Sequence, residues 1–429
     1  MNFVRNTIPI LVALCCALVH PGCRPEAGGK KVIVFWAMGA EGENVQKLIP
    51  EFERRNPDIH VRLQAIPWTA AHEKLLTAYA GRSTPDIAQL GNTWIPEFTI
   101  LNALVNVQPW IDRSSEVKKE KYFPGIWETN VIDGTIYGIP WYVDTRLLFY
   151  RTDLLRQAGY DHAPRTWSEW FDASRKVRAR APDTSHYAIL LPTNNEWAPP
   201  VVMGLEKNST LLRDGDRYGD FSGPTFTAAF TEFNNFFLYG WAPRKTQQII
   251  NVYDAFAEGV FAMYITGPWN IGEFLKRLPA SMQGNWMTAP MPSADSAYPG
   301  VSLAGGSSLV LFSASKVKDE SWKLIEYLSE ADRQVEFYHV TGDLPAVRES
   351  WQDSSISSNK YIQAFYRQLE RVAATPKIPE WEQIAQKVRE YSEIVALDRM
   401  SVHEALAALD REVNVILEKR RWMLEYGGK

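Results

Sequence analysis

The sequence predicts an α/β protein of two lobes, on three observations. At 429 residues the chain exceeds one ordinary core, since domains commonly hold roughly 100 to 200 residues. Strand-like and helix-like runs alternate between Lys31 and Leu90, the pattern of a parallel sheet with helices on its faces. The composition, 45% hydrophobic and 22% charged, is that of a soluble globular chain rather than a disordered or membrane-spanning one.

Taken in order, the elements begin after an address. Residues 1–22 carry one positive charge at Arg5 and an apolar run from Ile8 to Val19. Such a run fits the core of a secretory signal, about 7 to 15 residues, and is short of the roughly 20 that span a bilayer. The three cysteines are Cys15, Cys16 and Cys23, so the body of the protein has no disulfide scaffold, although an exported protein could carry one. Residues 23–30, with Pro25, Gly28 and Gly29, read as a short tether.

Lys31 to Trp36 is strand-like, and Val45, Leu48, Ile49 and Phe52 then follow helical spacing up to Asn56-Pro57-Asp58. Ile59, Val61, Leu63 and Ala65 alternate with polar residues as a strand does. A helix with Leu75, Leu76 and Tyr79 leads to a strand at 86–90. Thr166 followed by Glu169 predicts a capping box that opens a second unit. Later helices are predicted over 320–329, with Trp322, Ile325 and Leu328, and over 402–422. The stretch FAEGVFAMYITGPWNIGEF (256–274) poses a question: Trp269 stands at the joint of a strand and a helix, where core packing alone would not require it.

Several function classes fall away. A net charge of -4 without a long basic block provides no footprint for nucleic acid. The seven histidines form no H-E-x-x-H and no close pair, so neither a metal nor a cofactor is expected. Gly305-Gly-Ser-Ser-Leu309 is not G-x-S-x-G, and there is no Walker loop. A carbohydrate-active enzyme with Asp144 and Glu196 opposed across a cleft stays open, because two carboxylates suffice for it.

FAEGVFAMYITGPW resembles a segment of the extracellular solute-binding proteins of the maltose-binding type, the receptors of bacterial ABC sugar importers. GTIYGIPWYVDTRLLFYRTDLLRQAG (134–159), PRTWSEW (164–170) and GGSSLVLFSASKVKDESWKLIEYL (305–328) are similar to further segments of that family, in its order. VHPGC (19–23) resembles a lipoprotein signal with His20 in place of the usual Leu, which implies a lipid on Cys23. The resemblance implies the periplasmic-binding-protein fold, with 31–142 plus 303–345 as one lobe, 146–297 plus 350–429 as the other, and a ligand cleft at the hinge. It also implies an extracytoplasmic monomer held to the membrane by its lipid, which passes a carbohydrate to permease subunits.

A sugar needs aromatic planes for its C–H faces and directional groups for its hydroxyls. With 16 Trp and 18 Tyr the chain is rich in the first. Trp36, Trp68, Trp94, Trp141 and Trp269 follow strand-like runs, and Trp197 and Trp381 join them as candidates. Glu41, Glu43, Asn92, Asp144, Arg146, Glu196 and Arg348 are the polar candidates, and Gly305, Gly306 and Ser307 would offer backbone at the cleft edge. Plainer roles compete at each position. Any Trp can be core, Asp144 and Arg146 can simply pair, and Glu41 and Glu43 can be acids favoured in a first helical turn.

Overall fold

The computed structural model describes residues 29–245, 249–295 and 297–426. The expectations placed on the signal segment, Cys23 and the start of the tether lie outside them.

Lys31–Met38 pairs in parallel with both Ile59–Ile66 and Ile87–Gly91, as the alternating pattern requires. It is a central strand whose buried Ile33 and Phe35 through Met38 are covered on both faces, whereas Ile59–Ile66 is an edge strand with exposed residues between buried ones. What the local pattern did not reveal is the other half of the sheet. Gly305–Leu311 inserts antiparallel between Ile87–Gly91 and Gly138–Asp144, and Leu344–Pro345 closes the far edge, giving six strands.

The second lobe holds a four-stranded sheet in the order Trp286–Ala289, Leu147–Arg151, Phe261–Thr266, Tyr187–Leu190. Helices Trp167–Ala179, Ala198–Glu206, Pro224–Leu238, Trp381–Ala396 and Val402–Ile416 cover one face of it, burying Trp170, Phe226, Phe233, Ile384 and Leu406.

Several segments join the lobes. The chain crosses at 145–146 and returns at 290–304, where Ser302–Leu303 pairs with Val372–Ala373. A third link follows Pro345. Trp351 meets the edge of Phe123 in the first lobe, while Tyr361 stacks on Trp286 in the second at 3.9 Å.

Three local expectations shift. The helix expected over 45–52 is two short ones, Gly39–Val45 and Ile49–Arg55, with Pro50 opening the second. Thr166 accepts from the Glu169 backbone N–H, but Glu169 reaches past it to the Arg165 N–H, so the reciprocal half of the box is displaced by one residue. The complete capping box is Ser401 with Glu404. The helix it starts ends at Ile416 and is followed by a separate Glu418–Tyr426 helix rather than running to Trp422.

The register positions the site. Gly91 lies opposite Ser307, and Asp144 opposite Gly305, so the carboxyl ends of two first-lobe strands share an edge with the start of Gly305–Leu311. Ligands of open α/β sheets bind outside such edges.

Candidate functional site

A cavity of about 540 Å³ lies at this edge, between the lobes, within the range of about 300 to 1,000 Å³ usual for small-molecule sites.

The first-lobe wall is a hydrogen-bonded set. Trp68 Nε1 donates to Glu41 Oε2 at 3.3 Å, and Tyr142 Oη donates to Glu41 Oε1 at 3.1 Å. Ser307 Oγ in turn donates to Tyr142 Oη at 3.0 Å. Gly39 makes room for this. At φ +52° its backbone suits glycine, and a Cβ there would stand 2.6 Å from the Trp68 ring. Trp94 meets Trp68 edge-on at 5.6 Å, and Asn92 Nδ2 donates to the hinge carbonyl of Ala304 at 2.8 Å.

The hinge and second lobe meet at Arg146. Its guanidinium donates to Asp144 at 3.2 Å and to Glu196 at 3.4 Å, and its carbon lies 4.7 Å from the centre of the Trp269 ring, a cation–π contact. The Arg146 side chain is 14% exposed, so this charge is paired largely away from water. Asp144 and Glu196, the carboxylates of the enzyme alternative, thus have a guanidinium between them where glycoside hydrolysis needs the sugar.

Trp269 begins the Trp269–Arg277 helix just past Thr266 and is 44% exposed. Gly267 is not among the glycines with a left-handed backbone. Its role is spatial, because the Trp269 ring folds back over it and a Cβ would sit 1.9 Å from the ring.

Burial shapes the acids of the cleft. Loss of water raises Glu41 and Asp144 above their ordinary values, opposed for Asp144 by Arg146. Asp343, also lining the cavity, is pushed up to about 8 by burial and by the charges of Glu41 and Asp144. The folded state therefore keeps a proton that the unfolded chain releases near pH 4. The stabilising contribution is full below the unfolded value and is lost as pH rises through about 8. Asp343→Asn should accordingly flatten the fall in ligand-free melting temperature between about pH 5 and 8. An unchanged slope would mean that Asp343 ionises normally.

Of the sequence candidates, Glu41, Trp68, Asn92, Trp94, Asp144, Arg146, Trp197, Trp269, Gly305, Gly306 and Ser307 line the cavity, and Glu196 adjoins it through Arg146. Five others lie elsewhere. Trp36 is buried beneath the Trp68–Ala80 helix, with the Lys74 ammonium 4.9 Å from its ring. Glu43 is two residues beyond Glu41, about 200° further round the helix, and faces an outer groove with Gln46 and His60. Trp141 is 1% exposed and stacks on Phe337 at 4.4 Å. Trp381 is fully buried beneath Trp197, edge-on at 5.6 Å. Arg348 pairs with Glu370 at 2.7 Å on an outer groove.

Tyr142, Thr93, Asp343 and Thr375 also line the cavity and were missed. For Tyr142 the signal was present. Strand side chains alternate, so Asp144 in the cleft places Tyr142 beside it and Trp141 on the opposite face. Asp343 follows Gly342, a left-handed helix cap, and had no local signal.

Comparison with known proteins agrees with this architecture. The sugar-binding protein MalE of the phytopathogen Xanthomonas citri is 48% identical, with a TM-score of 0.89 over 92% of this chain and 100% of that one. The diacetylchitobiose binding protein DasA of Streptomyces coelicolor is 25% identical over 82% of this chain and 81% of its own. A galactooligosaccharide-binding protein of Bacillus subtilis is 22% identical over 93% and 92%. Residues 37–335 match the bacterial extracellular solute-binding protein family, and with most of its length so matched and its two lobes flanking one cleft, the chain belongs to that family.

Proposed function

We propose that the protein captures an oligosaccharide between its lobes and delivers it to the membrane permease subunits of an ABC importer. The observation that carries this is the lining of the cleft: four indoles, from Trp68, Trp94, Trp197 and Trp269, surround Glu41, Asn92, Asp144 and Arg146. Flat apolar faces beside fixed donors and acceptors match the two chemistries of a sugar. The sugar ligands named for the relatives support the same class.

In this proposal 31–142 plus 303–345 and 146–297 plus 350–429 move as the two lobes of a monomer. A ligand that touches both walls binds the shut form better and shifts the population toward it. Contacts that suit a shut form are present. Thr93 donates to Glu382, and Lys377 Nζ donates to the Val131 carbonyl at 2.6 Å, each joining the first lobe to the late segments. The proposal also places a lipid on Cys23, holding the receptor at the outer face of a membrane. Anchoring there needs more than one acyl chain.

The test uses the full-length protein and its Cys23→Ala variant, isolated from membrane and soluble fractions respectively. Both should show the same stoichiometric binding in a titration across mono- and oligosaccharides, with a melting temperature that rises with ligand excess. Release of shortened sugars would favour the glycosidase alternative. Wild type in the soluble fraction would remove the anchor.

A further inference from the structure

Beyond Trp269 lies a second basin, of about 590 Å³, lined by Tyr253, Tyr264, Asn270 and Arg277 among others. Among the described residues Trp269 alone lines both this basin and the hinge cavity. The basin is built rather than incidental. Tyr253 Oη donates to Asn270 Oδ1 at 2.9 Å, and Asn270 Nδ2 donates to Thr266 Oγ1 at 2.7 Å, which fixes the phenol against the start of the Trp269–Arg277 helix. The Phe274 ring meets Tyr253 edge-on at 5.6 Å. The Arg277 guanidinium stands 4.9 Å from the Tyr253 ring centre and pairs through Nε with Glu273. Its Nη donors have no further partner among the described residues. Tyr264 links the two spaces, since its hydroxyl feels the charges of Arg146 and Glu196 in the cleft while Tyr264 itself acts on the Tyr253 phenol in the basin.

We infer that the binding site does not end at Trp269 but continues over it, so that a linear oligosaccharide of more than two rings lays its further residues against Tyr253 and Arg277. This rests on the carbohydrate reading of the cleft. It adds a length preference and the two residues that set it. An exposed indole between two hollows can carry one ring of a chain whose neighbours fall on either side. The far hollow repeats the near one's chemistry, with an aromatic beside a guanidinium fork and an amide.

The experiment titrates gluco-, galacto- and chito-oligosaccharides, from di- to hexasaccharide, into wild type, Tyr253→Ala and Arg277→Ala. For whichever series binds, wild type should gain about tenfold in affinity between the disaccharide and the tetrasaccharide. That gain should vanish in both variants. Arg277 lies on an exposed helical face, so its variant keeps the test sound if Tyr253→Ala melts early through loss of the Asn270 bond. A wild type without a length gain, or variants that retain it, would overturn the extension and leave the hinge site standing. Failure of every sugar to bind would overturn the carbohydrate reading and the extension together.

Discussion

Trp269→Ala should weaken the binding of the captured sugar roughly thirtyfold or more, the loss of an aromatic anchor worth about 2 kcal/mol. The ligand-free protein should melt within a few degrees of wild type. The two outcomes separate because the indole is 44% exposed and its main protein contacts are the Arg146 guanidinium and the space over Gly267. Removing it strips apolar area that water already reaches, and it leaves Asp144 and Glu196 still paired with Arg146. Gly267→Ala gives an independent check. A methyl 1.9 Å from the ring carbon must displace the indole, so this variant should lose affinity while Trp269 remains present. A large fall in ligand-free melting temperature with unchanged affinity per folded molecule would make Trp269 a packing residue.

Trp141→Ala is expected to do the reverse. Its ring is buried, stacks on Phe337 at 4.4 Å and meets the Phe35 ring at 6.0 Å, so truncation leaves a cavity in the first lobe costing about 3 to 5 kcal/mol. Chemical denaturation should show the midpoint falling with little change in slope. Whatever fraction stays folded should bind with near wild-type affinity, because Tyr142 and not Trp141 reaches the cleft. Affinity lost in proportion to that of Trp269→Ala would return Trp141 to the ligand.

The contrast between these two tryptophans separates what local sequence can and cannot decide. Both follow a strand-like run and both lie in segments that resemble a family of sugar receptors. Period-two alternation, applied from Asp144, would have put Trp141 in the core and Tyr142 in the cleft. The same rule did not rescue Trp36, whose strand is covered on both faces, so that neither side of it is open. Helical geometry similarly parts Glu41 from Glu43, once it is known which side of the short Gly39–Val45 helix faces the hinge. That knowledge is tertiary.

By itself the sequence determined the α/β alternation of the first lobe, the thiol-free body and the placement of Trp269 at a strand-to-helix joint. Each of these is carried by neighbours a few residues apart, through side-chain periodicity, hydropathy or the conformational limits of glycine and proline. Tertiary structure alone decided that Gly305–Leu311 enters the first sheet between strands far earlier in the chain, and that Asp343 joins Glu41 and Asp144 at one cavity. It also decided that Arg146 bridges two acids beneath an indole. Such placements depend on which distant segments pair and which face each strand turns toward the hinge. They arise from burial and hydrogen-bond satisfaction summed over the whole chain, a quantity that no local window of sequence contains.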